Sequence, residues 1–175
     1  MKQGSRRLAV VVWSTLCISL LCASSGLLAQ DAKPGLLSIP ELREYVPAVY
    51  FFRGQSATVQ IRNAAGFRAA GGKLVMAALV DTSGYAQDVA EKYQGLFITE
   101  VKLGIGDATL PPGQYGFGFT QDGKFIVMDV GANDVLSIPS AIDENLRRPV
   151  PLKMAEDNGG YRIYAGRKYV SIKIM

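Results

Sequence analysis

Histidine is absent from this 175-residue chain, and both cysteines (Cys17 and Cys22) and the only tryptophan (Trp13) fall near its start. Acidic residues are missing there too: the first is Asp31, whereas Lys2, Arg6 and Arg7 stand ahead of it. These absences gain their meaning from residues 5 to 29, which read as an export signal. Lys2, Arg6 and Arg7 form a positive n-region, Leu8 to Cys22 an apolar h-region of 15 residues, and Ala23, Ser24, Ser25 and Ala29 supply small residues for cleavage. A membrane-spanning helix needs about 20 apolar residues, and Ser24, Ser25 and Gly26 interrupt the run before that length. We therefore expect a signal peptide over 1–29 cut after Ala29, with a cut after Ser25 and an uncleaved anchor as alternatives. The expected localisation is periplasmic or secreted, without membrane insertion after cleavage.

The bulky Leu21 before Cys22, and Leu16 before Cys17, disfavour lipid attachment at either thiol. Ser5-Arg6-Arg7-Leu8 resembles the opening of a twin-arginine signal, but the rest of that pattern is missing, so ordinary export of an unfolded chain is expected. Cleavage leaves 16 Lys and Arg against 15 Asp and Glu, a net charge of +1. The basic character of the full chain thus belongs to the signal, and no electrostatic case for nucleic acid or anionic membrane survives. The exported part has neither Cys nor His, which supply most zinc, copper and iron ligands and most nucleophile and base pairs near neutral pH. Zinc hydrolases, Ser-His-Asp enzymes and thiol enzymes are excluded, no cofactor or metal site is expected, and the fold must stand without disulfides. About 145 residues suffice for one self-sufficient core.

Beyond the signal we expect a flexible mature N-terminus over 30–40 and a single β domain over 41–175. Gly and Pro recur at short intervals, and the runs between them alternate or are β-branched and aromatic. Val49 to Arg53 and Ala57 to Arg62 read as two strands joined by Arg53-Gly54-Gln55-Ser56. Lys73 to Asp81 is nearly all apolar, as in a central strand covered on both faces. Tyr85, Val89 and Tyr93 recur at helical spacing, with Ser83 as a candidate N-cap and Gly95 past the end, so one short helix is expected near 85–93. Leu96 to Leu103 alternates as a strand. Gln114 to Thr120 and Lys124 to Val130 flank Gln121-Asp122-Gly123, a strong hairpin signal. Residues 133 to 148 read as surface loop, and Tyr161 to Ala165 and Lys168 to Ile174 as a final hairpin leaving a C-terminal edge. The fold class is all-β: a single antiparallel sandwich or small barrel of about eight strands.

Leu110-Pro111-Pro112-Gly113-Gln114-Tyr115 resembles the turn entering a strand in exported prealbumin-like sandwich modules, a likeness of six residues that implies sheet and no functional residue. An internal echo runs from Leu37-Ser38-Ile39-Pro40, Leu42-Arg43 and Val46-Pro47 to Leu136-Ser137-Ile138-Pro139, Leu146-Arg147 and Val150-Pro151. Either it is a partial repeat, or Ile-Pro and Val-Pro recur because a residue before proline prefers extended backbone.

Few residues offer chemistry. Ile126 to Asn133, an apolar strand ending in Asp129-Val130-Gly131, is similar to the aspartic protease signature, which implies two carboxylates sharing one proton, the second supplied by a dimer. Val130 stands where that family has a hydroxyl, and Asp81-Thr82-Ser83-Gly84 has its glycine one residue late. Glu41 with Glu44, Asp143 with Glu144 and Glu156 with Asp157 lack the spaced oxygen ligands of a calcium loop and read as solvated neighbours. Tyr115, Phe117 and Phe119 share one face of a strand whose other face is Gly116 and Gly118. Paired strand glycines imply that something bulky approaches closely, so the aromatics are either core or a ligand-binding stripe. The functional expectation is an exported non-catalytic binding or accessory module of the cell envelope, taking a small apolar molecule, a carbohydrate or an envelope protein. The alternative is a cofactor-free hydrolase using Asp129.

Overall fold

The computed structural model describes residues 33–175; the expected signal peptide lies outside the described residues. The described part is an antiparallel β-sandwich with a further layer on one side. The chain runs β1 (Gly35–Leu36), α1 (Ile39–Tyr45), β2 (Val49–Phe52), β3 (Gln55–Arg68), β4 (Leu74–Val80) and α2 (Gln87–Ala90). It continues through β5 (Gly95–Thr99), β6 (Leu103–Ile105), β7 (Ala108–Leu110), β8 (Gly113–Phe119) and β9 (Lys124–Met128). The last elements are β10 (Asp134–Pro139), β11 (Ala141–Ile142), β12 (Val150–Asp157), β13 (Gly160–Gly166) and β14 (Lys168–Ile174). One sheet has eight strands in the order β1-β3-β4-β5-β8-β9-β10, with β2 on β3; the other has six, in the order β12-β13-β14-β6-β7, with β11 on β14. Neither sheet closes on itself, so of sandwich and barrel the molecule is a sandwich.

The eight-stranded sheet is covered on both faces. Toward the second sheet, Phe67, Val75, Phe97, Phe117, Phe125 and Val127 pack with Leu103, Ile105, Ile163 and Ile172. On the opposite face Leu42 of α1, Tyr50 and Phe52 of β2, Val89 of α2 and Tyr93 pack on Met76, Ala78, Leu96, Ile126 and Met128. This is why β4 is apolar at every position: Val75 and Ala77 enter the first core, Leu74, Met76, Ala78 and Val80 the second. Each fully buried aromatic or branched side chain contributes about 1.5–3 kcal/mol, which lets a chain of this size hold without cross-links.

Local chemistry explains where the strand reading needed correction. Leu96 to Leu103 is not one strand. Thr99, buried at 2% exposure, donates its hydroxyl to the Val101 carbonyl at 2.6 Å and accepts the Val101 N–H at 3.2 Å. This Ser/Thr-type turn makes the corner at which the chain leaves the eight-stranded sheet and enters the six-stranded one. Residues 133 to 148 are not all loop, since they include β10 and β11. The helix near 85–93 is a single turn whose N-cap is Ala86 with no side-chain bond; Ser83 instead gives its N–H to Asp81 Oδ1 at 3.0 Å. Lys168 to Ile174 is no edge, because β14 lies between β13 and β6.

In the described part of the N-terminal lead-in, 33–40, backbone pairing begins at Gly35. Gly35 and Leu36 pair with Arg68 and Phe67 of β3, and Ser38 caps α1 in a full capping box with Glu41, Pro40 sitting in the first turn. Ser137, the counterpart of Ser38 in the internal echo, lies inside β10 instead. The two copies therefore share sequence without sharing structure.

Candidate binding surface

Asp129 follows the last residue of β9 and organises the turn into β10. Its Oδ1 accepts the N–H groups of Gly131 and Asn133, each at 2.9 Å, and its Oδ2 accepts the Asn133 side-chain amide at 2.9 Å. The Asn133 side chain first, then the Asn133 and Gly131 backbone N–H groups, hold this carboxyl below its ordinary range. Shared-proton catalysis asks one carboxyl of a pair to move upward. Asp81 is held low in the same manner by Ser83. Among the remaining acids, Glu41 serves the helix cap, Asp143 accepts the Asn145 N–H and the Tyr164 hydroxyl, and Asp157 meets Arg162 Nε at 2.8 Å. Among the described residues, no three His, Cys, Asp or Glu side chains come together as a metal-holding group.

Tyr115, Phe117 and Phe119 lie between the two sheets, exposed by 8%, 0% and 5%. Phe117 meets Phe97 edge-on at 6.3 Å, Phe119 leans on Phe125 at 4.8 Å, and the Tyr115 hydroxyl donates to the Pro111 carbonyl at 3.0 Å. On the glycine face, a Cβ at Gly116 would stand 2.5 Å from Phe52 Cε2, and one at Gly118 would strike the Lys92 carbonyl oxygen. The close approach expected from the two glycines is therefore made by the protein's own second layer. Phe52 and Tyr93, stacked with centroids 3.9 Å apart, occupy the space that Gly116 leaves, and the Lys92 backbone that beside Gly118.

A surface that sequence reasoning missed lies on the outer side of that layer. Among the described residues β2 pairs only with β3, in the register Phe52↔Gln55 to Val49↔Thr58, and the hairpin turns on Arg53 (φ 48°) and Gly54 (φ 78°). Two consecutive positive φ values suit the twist of a two-residue hairpin. The ladder alternates between residues facing and turned away from their partner. Ala48, facing β3, accepts the Val59 N–H at 2.9 Å, so the N–H and C=O groups of Val49 and Phe51 point away from β3. Arg53, in the same phase, sends its N–H to the Val130 carbonyl at 2.9 Å. Tyr50 and Phe52 are buried, whereas Val49 and Phe51 are 54% and 60% exposed, and nearby Val130 is 52% exposed.

No protein-family model matches this chain, and no curated protein or solved structure shows significant similarity to it. Its surface must be read from its own geometry.

Beside the end of β2 opens a cleft of about 370 Å³ lined by Arg53, Asp88, Val89, Lys92, Met128 and Asn133. Its rim is charged in both signs: Lys92 pairs with Asp134 at 3.2 Å, and Arg53 approaches Asp88 at 4.0 Å. Both pairs are exposed, where such contacts contribute little to stability. The surface therefore combines a bare strand edge, two outward apolar side chains and a mixed-charge cleft. The run Val49-Tyr50-Phe51-Phe52 carried the signal: four consecutive apolar residues give a strand two apolar faces, and a second layer buries only one.

Proposed function

We propose that this chain is an exported, non-catalytic binding module of the cell envelope, periplasmic or secreted, that docks an extended segment of another envelope protein along β2. The supporting observation is the contrast among its sheet edges. Edges left bare recruit other strands, and proteins blunt them with proline, charge, bulges or shortness. β10 has a register shift at Asp134/Leu136 and ends in Pro139. β12 contains Pro151 and Lys153 and shifts register between Val150 and Lys153. β1 and β7 have two and three residues. β2 is short as well, at four residues, but it carries no proline, charge or bulge and shows Val49 and Phe51 to solvent. Strand addition supplies affinity through main-chain hydrogen bonds and specificity through alternate side chains, which matches this outward pattern.

The test uses the full chain in its own host. A fused reporter enzyme that works only outside the cytoplasm should be active, and should lose activity when residues 1–29 are deleted. A photo-crosslinking residue at position 49 should give a discrete adduct with an envelope protein, and Phe51→Lys should abolish it. An inactive reporter, no adduct, or the same adduct from position 135 on β10 refutes the proposal.

A further inference from the structure

Paired basic residues occur twice among the described residues, as Arg147-Arg148 and as Arg167-Lys168. The fold treats the two pairs differently. Arg167 sits in the tight turn between β13 and β14, where its carbonyl accepts the Asp143 N–H at 2.9 Å and its guanidinium approaches Glu144 at 3.9 Å. Lys168 begins β14, stands opposite Ala165 and Ile142, and donates its ammonium to the Thr120 carbonyl at 2.6 Å. This pair cannot be drawn out as an extended segment without opening the six-stranded sheet.

Arg147-Arg148 lies instead in the crossing from β11 to β12. Residues 143 to 149 form the longest stretch without helix or strand among the described residues. Its first half is anchored: Asp143 sends its N–H to the Arg167 carbonyl and accepts the Asn145 N–H and the Tyr164 hydroxyl, and the Leu146 N–H reaches the Asp143 carbonyl at 3.3 Å. Its second half is free. Arg147, Arg148 and Pro149 are exposed, and their backbone makes no hydrogen bond among the described residues. Val150, which opens β12, is 41% exposed, and the ladder shifts register between it and Lys153. An endopeptidase takes its substrate extended, and an exposed segment with unpaired backbone meets that need at little cost. Proline narrows the choice to one bond. Pro149 puts its ring on the nitrogen of the bond after Arg148 and removes the N–H there, so cleavage falls between the two arginines.

We propose that the Arg147–Arg148 bond is a processing site for an endopeptidase that cuts between paired basic residues. Water adds across the bond and leaves a carboxylate on Arg147 and an ammonium on Arg148. The two pieces stay one folded domain. Residues 148 to 175 contribute Leu152, Met154, Ile163, Val170 and Ile172 to the core between the sheets, and β14 remains paired with β6 and β11. Processing therefore replaces a closed crossing with two free ends beside the edge strand β12, while β2, in the other sheet, keeps its place on β3.

The test has two arms. Limited trypsin digestion of the purified full chain, read by intact-mass spectrometry, should cut residues 33–175 first after Arg147; the two pieces should co-elute on size exclusion and part only in urea. Protein recovered from its own host should contain a chain that begins at Arg148. That chain should be lost in both Arg147→Gln and Arg148→Gln, exposed changes expected to leave the urea midpoint where it is in the wild type. A first cut at any other basic residue within 33–175, pieces that separate without denaturant, no host chain beginning at Arg148, or its survival in either variant overturns the proposal.

Discussion

The ring of Phe52 lies parallel to that of Tyr93, 3.9 Å away and tilted by 14°, directly over the backbone of Gly116. This one contact joins three elements distant in sequence: the β2 hairpin, the turn after α2 and the central strand β8. It holds the second layer against the eight-stranded sheet, and it explains why β8 has glycine rather than a larger residue at position 116.

Gly116→Ala should therefore destabilise the protein by about 1–3 kcal/mol through overpacking, since its Cβ would meet Phe52 at 2.5 Å and Tyr93 at 3.0 Å. Gly118→Ala should cost more, because the obstacle is the Lys92 main-chain carbonyl, which cannot rotate aside as a ring can. Urea midpoints of the two variants, with the m-value unchanged, check the order.

The β2–β3 turn should improve on substitution. Arg53 adopts φ 48° ahead of Gly54, a conformation that asparagine tolerates better than most residues. Arg53→Asn should raise stability by roughly 0.5–1 kcal/mol, a gain of a few degrees in Tm for a domain of this size. A fall in Tm would show that the Arg53 side chain at the cleft rim outweighs the backbone term.

Asp129 should matter to stability with a definite pH dependence. Its carboxyl is held below the ordinary value of 3.8 by Asn133 and the turn N–H groups. A group with a lowered folded pKa stabilises fully above its unfolded pKa and loses that contribution as pH falls through the folded one. Asp129→Asn should thus lower the urea midpoint near neutral pH, with a gap from wild type that narrows below about pH 4. A gap constant from pH 7 to pH 2 would mean that the carboxylate charge plays no part in the turn.

Much of the sandwich was legible because strand signals are local. Asp122-Gly123 between Phe119 and Phe125, Gly166-Arg167 between Ala165 and Lys168, and the unbroken apolar run of β4 each carry their reason within a few residues. The corrections have one cause: alternation says that a residue lies on a strand but not which sheet the strand joins. Val101 and Leu103 continue the pattern of Phe97 and Thr99, yet a hydroxyl at Thr99 turns the chain into the other sheet. Lys168 to Ile174 reads as a last strand and hence an edge, but β6, more than sixty residues earlier, pairs along it.

The sequence by itself determined an all-β chain with paired glycines opposite Tyr115, Phe117 and Phe119, because composition, turn chemistry and period-two alternation act within a few residues. Only the tertiary structure decided what those glycines admit, which of the two apolar faces of β2 is covered, and that Asp129 is occupied by its own turn. Those outcomes depend on contacts between segments far apart in the chain. Phe52 reaches Gly116 across 64 positions, and no local pattern encodes such a meeting.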